Sequence, residues 1–368
     1  MSESKKTIEN QLVHIPLAVS TWGEEEREAI LRVLDSGMVT MGEEVKAFEE
    51  EYADWVNTKY AVMVNSGSSA NLLMVAAYTL RNGPGTVIVP AVSWSTSYSP
   101  FQQYGWNLKF VDIDPETLNY HIPSLEKAYT GTELILAVNL LGNPNEFMEF
   151  PSMEILEDNC ESMGARYANM RTGNFGIMSS HSMFFSHHIQ TMEGGVITTD
   201  DEYFYQMLLC LRSHGWTRHL PEENVFNVKP SAYDFLFPGY NVRPIEMMGA
   251  VGRVQLEKID GFLKGRLENA ARWYEVCKKR GWWHQKEPKH GFSSWFSFAI
   301  VEDKIEEIKK EFDAKGIQYR PLVAGNFTKS PSIKYYNAEF GDLPNADSVH
   351  TNGIYVGNYH TPIDWSML

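Results

Sequence analysis

Two adjacent histidines, His187 and His188, stand inside residues 182–195, on a stretch that reads as a loop between strands 181–185 and 196–199, with Glu193-Gly194-Gly195 as the turn. An imidazole titrates near neutral pH, so either ring could serve as general base or acid; a His-His pair on a loop can equally be two solvated side chains. A second group is acidic. Glu157-Asp158-Asn159-Cys160-Glu161 closes a strand read over 153–158, and a carboxylate there either meets a cationic ligand atom or caps the strand. The third is the turn Ser66-Gly67-Ser68-Ser69, between a strand over 60–65 and a helix over 70–80. Free N–H groups and the helix dipole favour an anion such as phosphate at such a turn, although the same residue types also cap helices that bind nothing.

The elements that must hold these groups follow from hydrophobic pattern. Strands read over 86–90, 109–114 and 134–139 alternate with helix-length segments, which predicts a mainly parallel sheet with ligands at the carboxyl ends of its strands. Thr21-Trp22-Gly23-Glu24 reads as a capping box opening a helix that Gly37 stops, and Val45, Phe48, Tyr52 and Trp55 share one face of a second helix. A long helix runs from about 244 to 279. Beyond it, a strand over 295–301, a helix over 304–315 and a strand over 318–322 predict a small α+β unit.

Composition narrows the classes. A chain of 368 residues with 43% apolar content has room for a large core and for two domains. Its net charge of −15 argues against nucleic acid or an anionic membrane as partner. Cys160, Cys210 and Cys277 are scattered and odd in number, which fits a reducing cytoplasm and cannot supply the four thiolates of an all-cysteine iron–sulfur cluster. No metal site is expected. Residues 1–10 are polar, without the apolar core of a signal peptide. Between Lys127 and Lys229 there is no lysine at all.

These motifs are similar to those of the fold-type-I, pyridoxal-phosphate-dependent nucleotide-sugar aminotransferases. Residues 182–195 resemble that family's cofactor-lysine segment, Ser-Phe-His-Ala-Thr-Lys followed five residues on by Glu-Gly-Gly, with the lysine position falling on His187. A histidine there marks the family's 3-dehydratase branch, whose version reads Ser-Phe-Tyr-Pro-Ala-His-His; here Phe185-Ser186 replaces Pro-Ala and Met192 replaces a glycine. Residues 65–71, Asn-Ser-Gly-Ser-Ser-Ala-Asn, match the phosphate-binding motif and imply Gly67 and Ser68, with Ser182, as cofactor contacts. The resemblance further implies Trp94 stacked on the pyridine ring, Asp158 on its nitrogen and Glu161 near its hydroxyl, where aminotransferases more often carry glutamine. Gly239-Tyr240-Asn241-Val242-Arg243 resembles Gly-Tyr-Asn-Tyr-Arg, which implies a homodimer in which Asn241 reaches the phosphate held by the other subunit. Residues 320–326 resemble the branch signature Arg-x-x-x-Ala-Gly-Asn, and Arg218, Arg320 and Asn326 are expected to contact substrate.

The fold so implied is α/β: a large cofactor domain over 1–245 with a mainly parallel seven-stranded sheet, then an interdomain helix and small α+β domain over 246–368. The activity implied is removal of the C3 hydroxyl of a nucleotide-linked 4-keto-6-deoxyhexose by pyridoxamine phosphate, with His187 as base and His188 as second choice. L-Glutamate would restore the amine form of the cofactor. Two alternatives stand beside it: a 3-dehydratase served by a separate reductase, and a lysine-free protein that binds cofactor or sugar without catalysis.

Overall fold

Short runs of Val, Ile, Leu and Met, each bounded by polar or turn residues, supply the strands, and amphipathic segments between them supply the helices. The computed structural model describes residues 14–150 and 153–368; the polar opening 1–10 lies outside them. In order come α1 (Glu24–Ser36), α2 (Glu43–Val56), β1 (Tyr60–Val64), α3 (Gly67–Asn82), β2 (Thr86–Pro90), α4 (Ser95–Gln103), β3 (Asn107–Val111), α5 (Ile122–Ala128), β4 (Leu134–Val138) and β5 (Ile155–Asp158). Next are β6 (Arg166–Tyr167), β7 (Met170–Arg171), β8 (Met178–Ser182), β9 (Gly195–Thr199), α6 (Glu202–Arg212) and the long α7 (Glu246–Arg280). The C-terminal part adds β10 (Gly291–Phe292), β11 (Ser297–Val301), α8 (Ile305–Lys315), β12 (Tyr319–Pro321), β13 (Ala338–Glu339), α9 (Pro344–Asn352) and β14 (Gly353–Gly357).

The main sheet has the order β1-β9-β8-β5-β4-β2-β3-β13. Every pairing from β8 to β13 is parallel, and β9 is antiparallel to both its neighbours. Seven strands were expected and eight are found. The extra one, β13, is two residues long, too short to leave a periodic signal, and joins the edge from the C-terminal part. On one side of the sheet α3 buries Leu73, Met74, Ala76 and Ala77 completely. On the other, Phe48 and Tyr52 of α2 pack with Met63, Val196 and Phe262. Each such large apolar side chain taken from water is worth roughly 1.5–3 kcal/mol.

Two local expectations are corrected. The strand expected over 181–185 ends at Ser182, because pairing with β9 stops at Ser182 opposite Gly195. The helix cap expected at Thr21 is at Gly23, whose N–H donates to the Glu26 carboxylate at 2.7 Å, while Thr21 Oγ1 donates to Gln255 of α7 at 2.6 Å.

A second sheet, β11-β14-β12, is antiparallel throughout. Its core joins Phe298, Phe312 and Ile354 to Trp273 of α7, to Trp365, and to Ile15 from the start of the described chain. Ile15 forms a parallel bridge with Ile317. The long helix α7, about 52 Å from end to end, connects this unit to the main sheet. It lies so close to the segment after β14 that a Cβ on Gly265 would fall 1.9 Å from the His360 carbonyl oxygen.

Candidate active site

Because β9 is antiparallel to both β8 and β1, strand β1 ends on the same edge of the sheet as β2, β4, β5 and β8. The residues that follow these five strand ends converge on a cavity of about 290 Å³. Of the residues expected at the site, Gly67, Ser68, Trp94, Asp158, Glu161, Ser182, His187 and Arg320 line it. No lysine does, among the described residues.

One wall is the N-terminus of α3. Ser66 caps the helix, its Oγ accepting from Ser69 N at 3.1 Å, and Ser68 Oγ pairs with Thr96 Oγ1 at 2.9 Å. Gly67 is required by close approach: a Cβ there would lie 2.5 Å from Ser182 Cβ and 2.9 Å from Cys160 Sγ. The first-turn amides therefore face the cavity edge with no side chain to cover them, which suits a phosphate. Trp94, just past β2, is 57% exposed at the same edge, an indole face open for stacking.

The floor is the end of β5. Asp158 is buried, with Oδ2 accepting from Asn71 Nδ2 at 2.9 Å and Ser97 Oγ at 2.7 Å, and Oδ1 from Cys160 N at 3.1 Å. Asn71 is itself oriented by Ser180 Oγ, 2.6 Å from its Oδ1. These donors fix a carboxylate that can still meet a ring N–H. Glu161 receives the Leu141 amide at 2.9 Å, and Leu141 holds the left-handed conformation at φ 55°. Burial, and to a smaller degree the Asp158 charge, push the Glu161 carboxyl up to about 7 against the pull of that amide.

The two histidines separate. His187 is half-buried on the cavity wall, its ring 5.0 Å from that of Phe296 and its main-chain N–H donating to the Phe184 carbonyl oxygen at 2.8 Å. Burial, and then the positive charge of Arg266, push its imidazole down to about 3, so the ring is neutral at physiological pH and offers a lone pair. His188 faces away from the cavity. It is fully buried, and its Nε2 lies 3.2 Å from Ser294 O, which makes that nitrogen the proton carrier.

Other expected residues lie elsewhere. Asn326 is buried outside the cavity lining with both amide atoms engaged, Oδ1 accepting from Thr328 N at 3.0 Å and Nδ2 donating to Asp347 at 2.6 Å. Arg218 is exposed over the Trp216 ring, and Asn241 is exposed with Oδ1 accepting from Arg243 Nε at 3.1 Å; neither lines the cavity of its own chain. Sequence reasoning assigned no role to Asn71, Ser97, Phe296 or Tyr355. Asn71 stood inside the quoted 65–71 motif and carried that signal, whereas Phe296 and Tyr355 arrive from the distant small sheet with none.

A cavity at the carboxyl ends of a mainly parallel sheet, with an anion cradle, a buried acid and a stacking face, defines the aminotransferase fold class, and the chain belongs to the DegT/DnrJ/EryC1/StrS aminotransferase family, whose model matches residues 20–361. Among curated relatives, it is 46% identical to the GDP-4-keto-6-deoxy-D-mannose 3-dehydratase of Yersinia pseudotuberculosis, over 95% of each chain. Among solved structures it resembles the Escherichia coli GDP-4-keto-6-deoxy-D-mannose-3-dehydratase with bound hydrated PLP (TM-score 0.93, 45% identity, 97% of this chain and 98% of that one). It also resembles a GDP-4-keto-6-deoxymannose-3-dehydratase with a trapped PLP-glutamate geminal diamine (TM-score 0.92, 45% identity, 96% and 98% covered).

Proposed function

We propose that the chain is a pyridoxal/pyridoxamine-phosphate-dependent 3-dehydratase acting on a GDP-linked 4-keto-6-deoxyhexose, a step of deoxysugar biosynthesis, with L-glutamate as amino donor. The observation that carries it is an imidazole and, among the described residues, no lysine on the wall of a cavity otherwise built like that of an aminotransferase. The fit of the cofactor rests on the cradle a Cβ at Gly67 would fill, the exposed indole of Trp94 and the triply bonded Asp158. When bound, the cofactor supplies an amine for the sugar ketone and a conjugated ring that takes up and returns electron pairs.

The chain's own residues do the rest. The α3 amides with Ser68 and Ser182 bind the phosphate, Trp94 covers one ring face, Asp158 holds the ring nitrogen and Glu161 faces the ring hydroxyl. His187 cannot form the covalent tether that a lysine forms, so amine transfer to the sugar loses its usual partner. What remains to it is proton movement: it accepts a proton on its free ring nitrogen and returns it to the oxygen departing from C3. Arg320, at the cavity edge beside Tyr355, contacts substrate. Overall, one oxygen leaves the sugar, the α-carbon of glutamate is oxidised to 2-oxoglutarate, and ammonia is released.

Asn241, exposed and outside its own cavity, serves the phosphate of the partner subunit in a homodimer, and the exposed Phe184 and Phe185 beside the site fit burial there. A cytoplasmic location agrees with three free cysteines and with the lack, among the described residues, of any helix long and apolar enough to cross a membrane.

The test is product analysis. Protein given pyridoxal phosphate, L-glutamate and GDP-4-keto-6-deoxymannose should yield 2-oxoglutarate and a GDP-sugar lacking one oxygen, by mass spectrometry. His187→Asn should lower turnover about 10²–10⁴-fold while still binding cofactor. His187→Lys should retain cofactor on the denatured, borohydride-treated chain and abolish dehydration. Dehydration without 2-oxoglutarate formation would favour the reductase-dependent route, and neither product would favour a non-catalytic binder.

A further inference from the structure

Arg266, in the middle of α7, is 2% exposed and sits beneath the histidine loop. Its Nη1 donates to the carbonyls of Phe296 at 2.9 Å and Asn358 at 2.8 Å, and its Nη2 to the carbonyl of His187 at 3.3 Å. Its Nε has no partner. All three acceptors are neutral main-chain oxygens, and among the described residues no acid offsets the burial that pushes this guanidinium down to about 9. A buried charge with no counter-ion is costly to the fold, so its presence here calls for a reason.

We propose that Arg266 is the positioning residue of His187: it pins the histidine's carbonyl, and with it the loop that carries the ring, to the small sheet. The inference rests on the reading of His187 as the proton-transfer group. Phe296 lies directly before β11, Asn358 directly after β14, and His187 on the loop between β8 and β9, so one side chain joins three segments at the cavity wall. The ring of Phe296 packs on both His187 and His188, at 5.0 and 6.0 Å. A proton received at the His187 ring nitrogen therefore arrives beside a fixed positive charge. It is driven on to the oxygen leaving C3, which departs as water, and the ring returns to its neutral form for the next cycle.

The charged and titratable groups around this pair are known. His188 flanks His187 on the loop, and His360 follows β14; Arg266 disfavours protonation of both. Across the cavity stand Asp158, Cys160 and Glu161 after β5, Glu193 before β9, and Arg320 and Tyr355 on the small sheet. None of these is a hydrogen-bond partner of Arg266.

Diethyl pyrocarbonate acylates only a neutral imidazole, and peptide mass mapping follows His187 alone. In the cofactor-loaded wild type its acylation should show no inflection near the ordinary value of about 6.5. In Arg266→Gln the midpoint should move upward, by part of the depression only because burial is its larger cause and remains, and kcat should fall roughly tenfold or more, with KM for glutamate little changed. Arg266→Lys, which restores a charge, should recover the wild-type profile. A wild-type inflection near 6.5, or a profile unchanged in Arg266→Gln, overturns the proposal. If the glutamine variant does not fold, Arg266→Met carries the same two outcomes, and the wild-type measurement stands on its own. Should His187→Asn keep full activity, the underlying assignment of His187 fails instead, a result distinct from a failure of Arg266 variants alone.

Discussion

Glu161 keeps its proton in the folded chain to about pH 7, through burial first and the Asp158 charge second. The unfolded chain releases that proton near the ordinary glutamate value of about 4.3. The folded form therefore binds more protons between these values, so this contribution to stability is complete below about 4.3 and is lost as pH rises through about 7, at ~1.4 kcal/mol per unit. Glutamine mimics the protonated carboxyl at every pH. Glu161→Gln should thus stabilise the protein by roughly 1–3 kcal/mol above pH ~7 and leave it unchanged at pH ~4, read as urea midpoints at the two values. An unchanged midpoint at the higher pH would mean that Glu161 is ionised in the fold. The residues of the site legible in sequence share a property: Gly67, Trp94, Asp158 and His187 each sit at or a few residues past a strand end, within a local motif. Arg266 sits mid-helix among lysines and glutamates, and nothing local distinguishes it from a solvated side chain.

At the scale of elements, β8 teaches why strands are misread. The segment Met178–Ser182 is fully buried although its last four residues are Ser-Ser-His-Ser. Most of their polar atoms are satisfied inside: Ser179 Oγ by Asn159, Ser180 Oγ by Asn71 and His181 Nε2 by Thr198, while His181 Nδ1 has no partner among the described residues. A hydrophobicity pattern sees polar residues and shifts the strand to Met183-Phe184-Phe185, where Phe184 and Phe185 are in fact exposed. By contrast β2 was legible to the residue, because Val87, Ile88 and Val89 are apolar in themselves and buried on both faces. The turn before β9 carries a further consequence. Met192, which stands where the resembled motif carries glycine, adopts φ 72°, a conformation that costs a side chain about 1–2 kcal/mol. Met192→Gly should raise stability by up to ~1 kcal/mol, the relief being offset in part by glycine's greater unfolded entropy. Thermal denaturation checks this; a lower midpoint would show that the Met192 side chain packs more strongly than its backbone is strained.

Across the whole molecule, the pattern of α/β alternation fixed the sheet type, whereas β13 and the pairing of Ile15 with Ile317 bring together segments with no local mark of their partnership. The proposed sharing of sites between subunits is open to complementation. His187→Asn and Asn241→Ala homodimers should each be impaired. After subunit exchange in an equal mixture, about a quarter of wild-type activity should return, because half the dimers are mixed and each of those has one intact site. No recovery on verified mixing would place Asn241 at its own subunit's site.

Ile15 has a timing consequence as well. Its partners in the small core, Phe298, Ile317 and Ile354 among them, are made some three hundred residues later, which at ordinary synthesis rates is roughly 15–60 s. The nascent chain thus carries an unsatisfied apolar stretch past the synthesis of the main sheet, and the small unit closes only once its own strands have been made. Ribosome-stalled intermediates ending before Ile354 should leave that stretch open to protease or chaperone, and full-length chains should not.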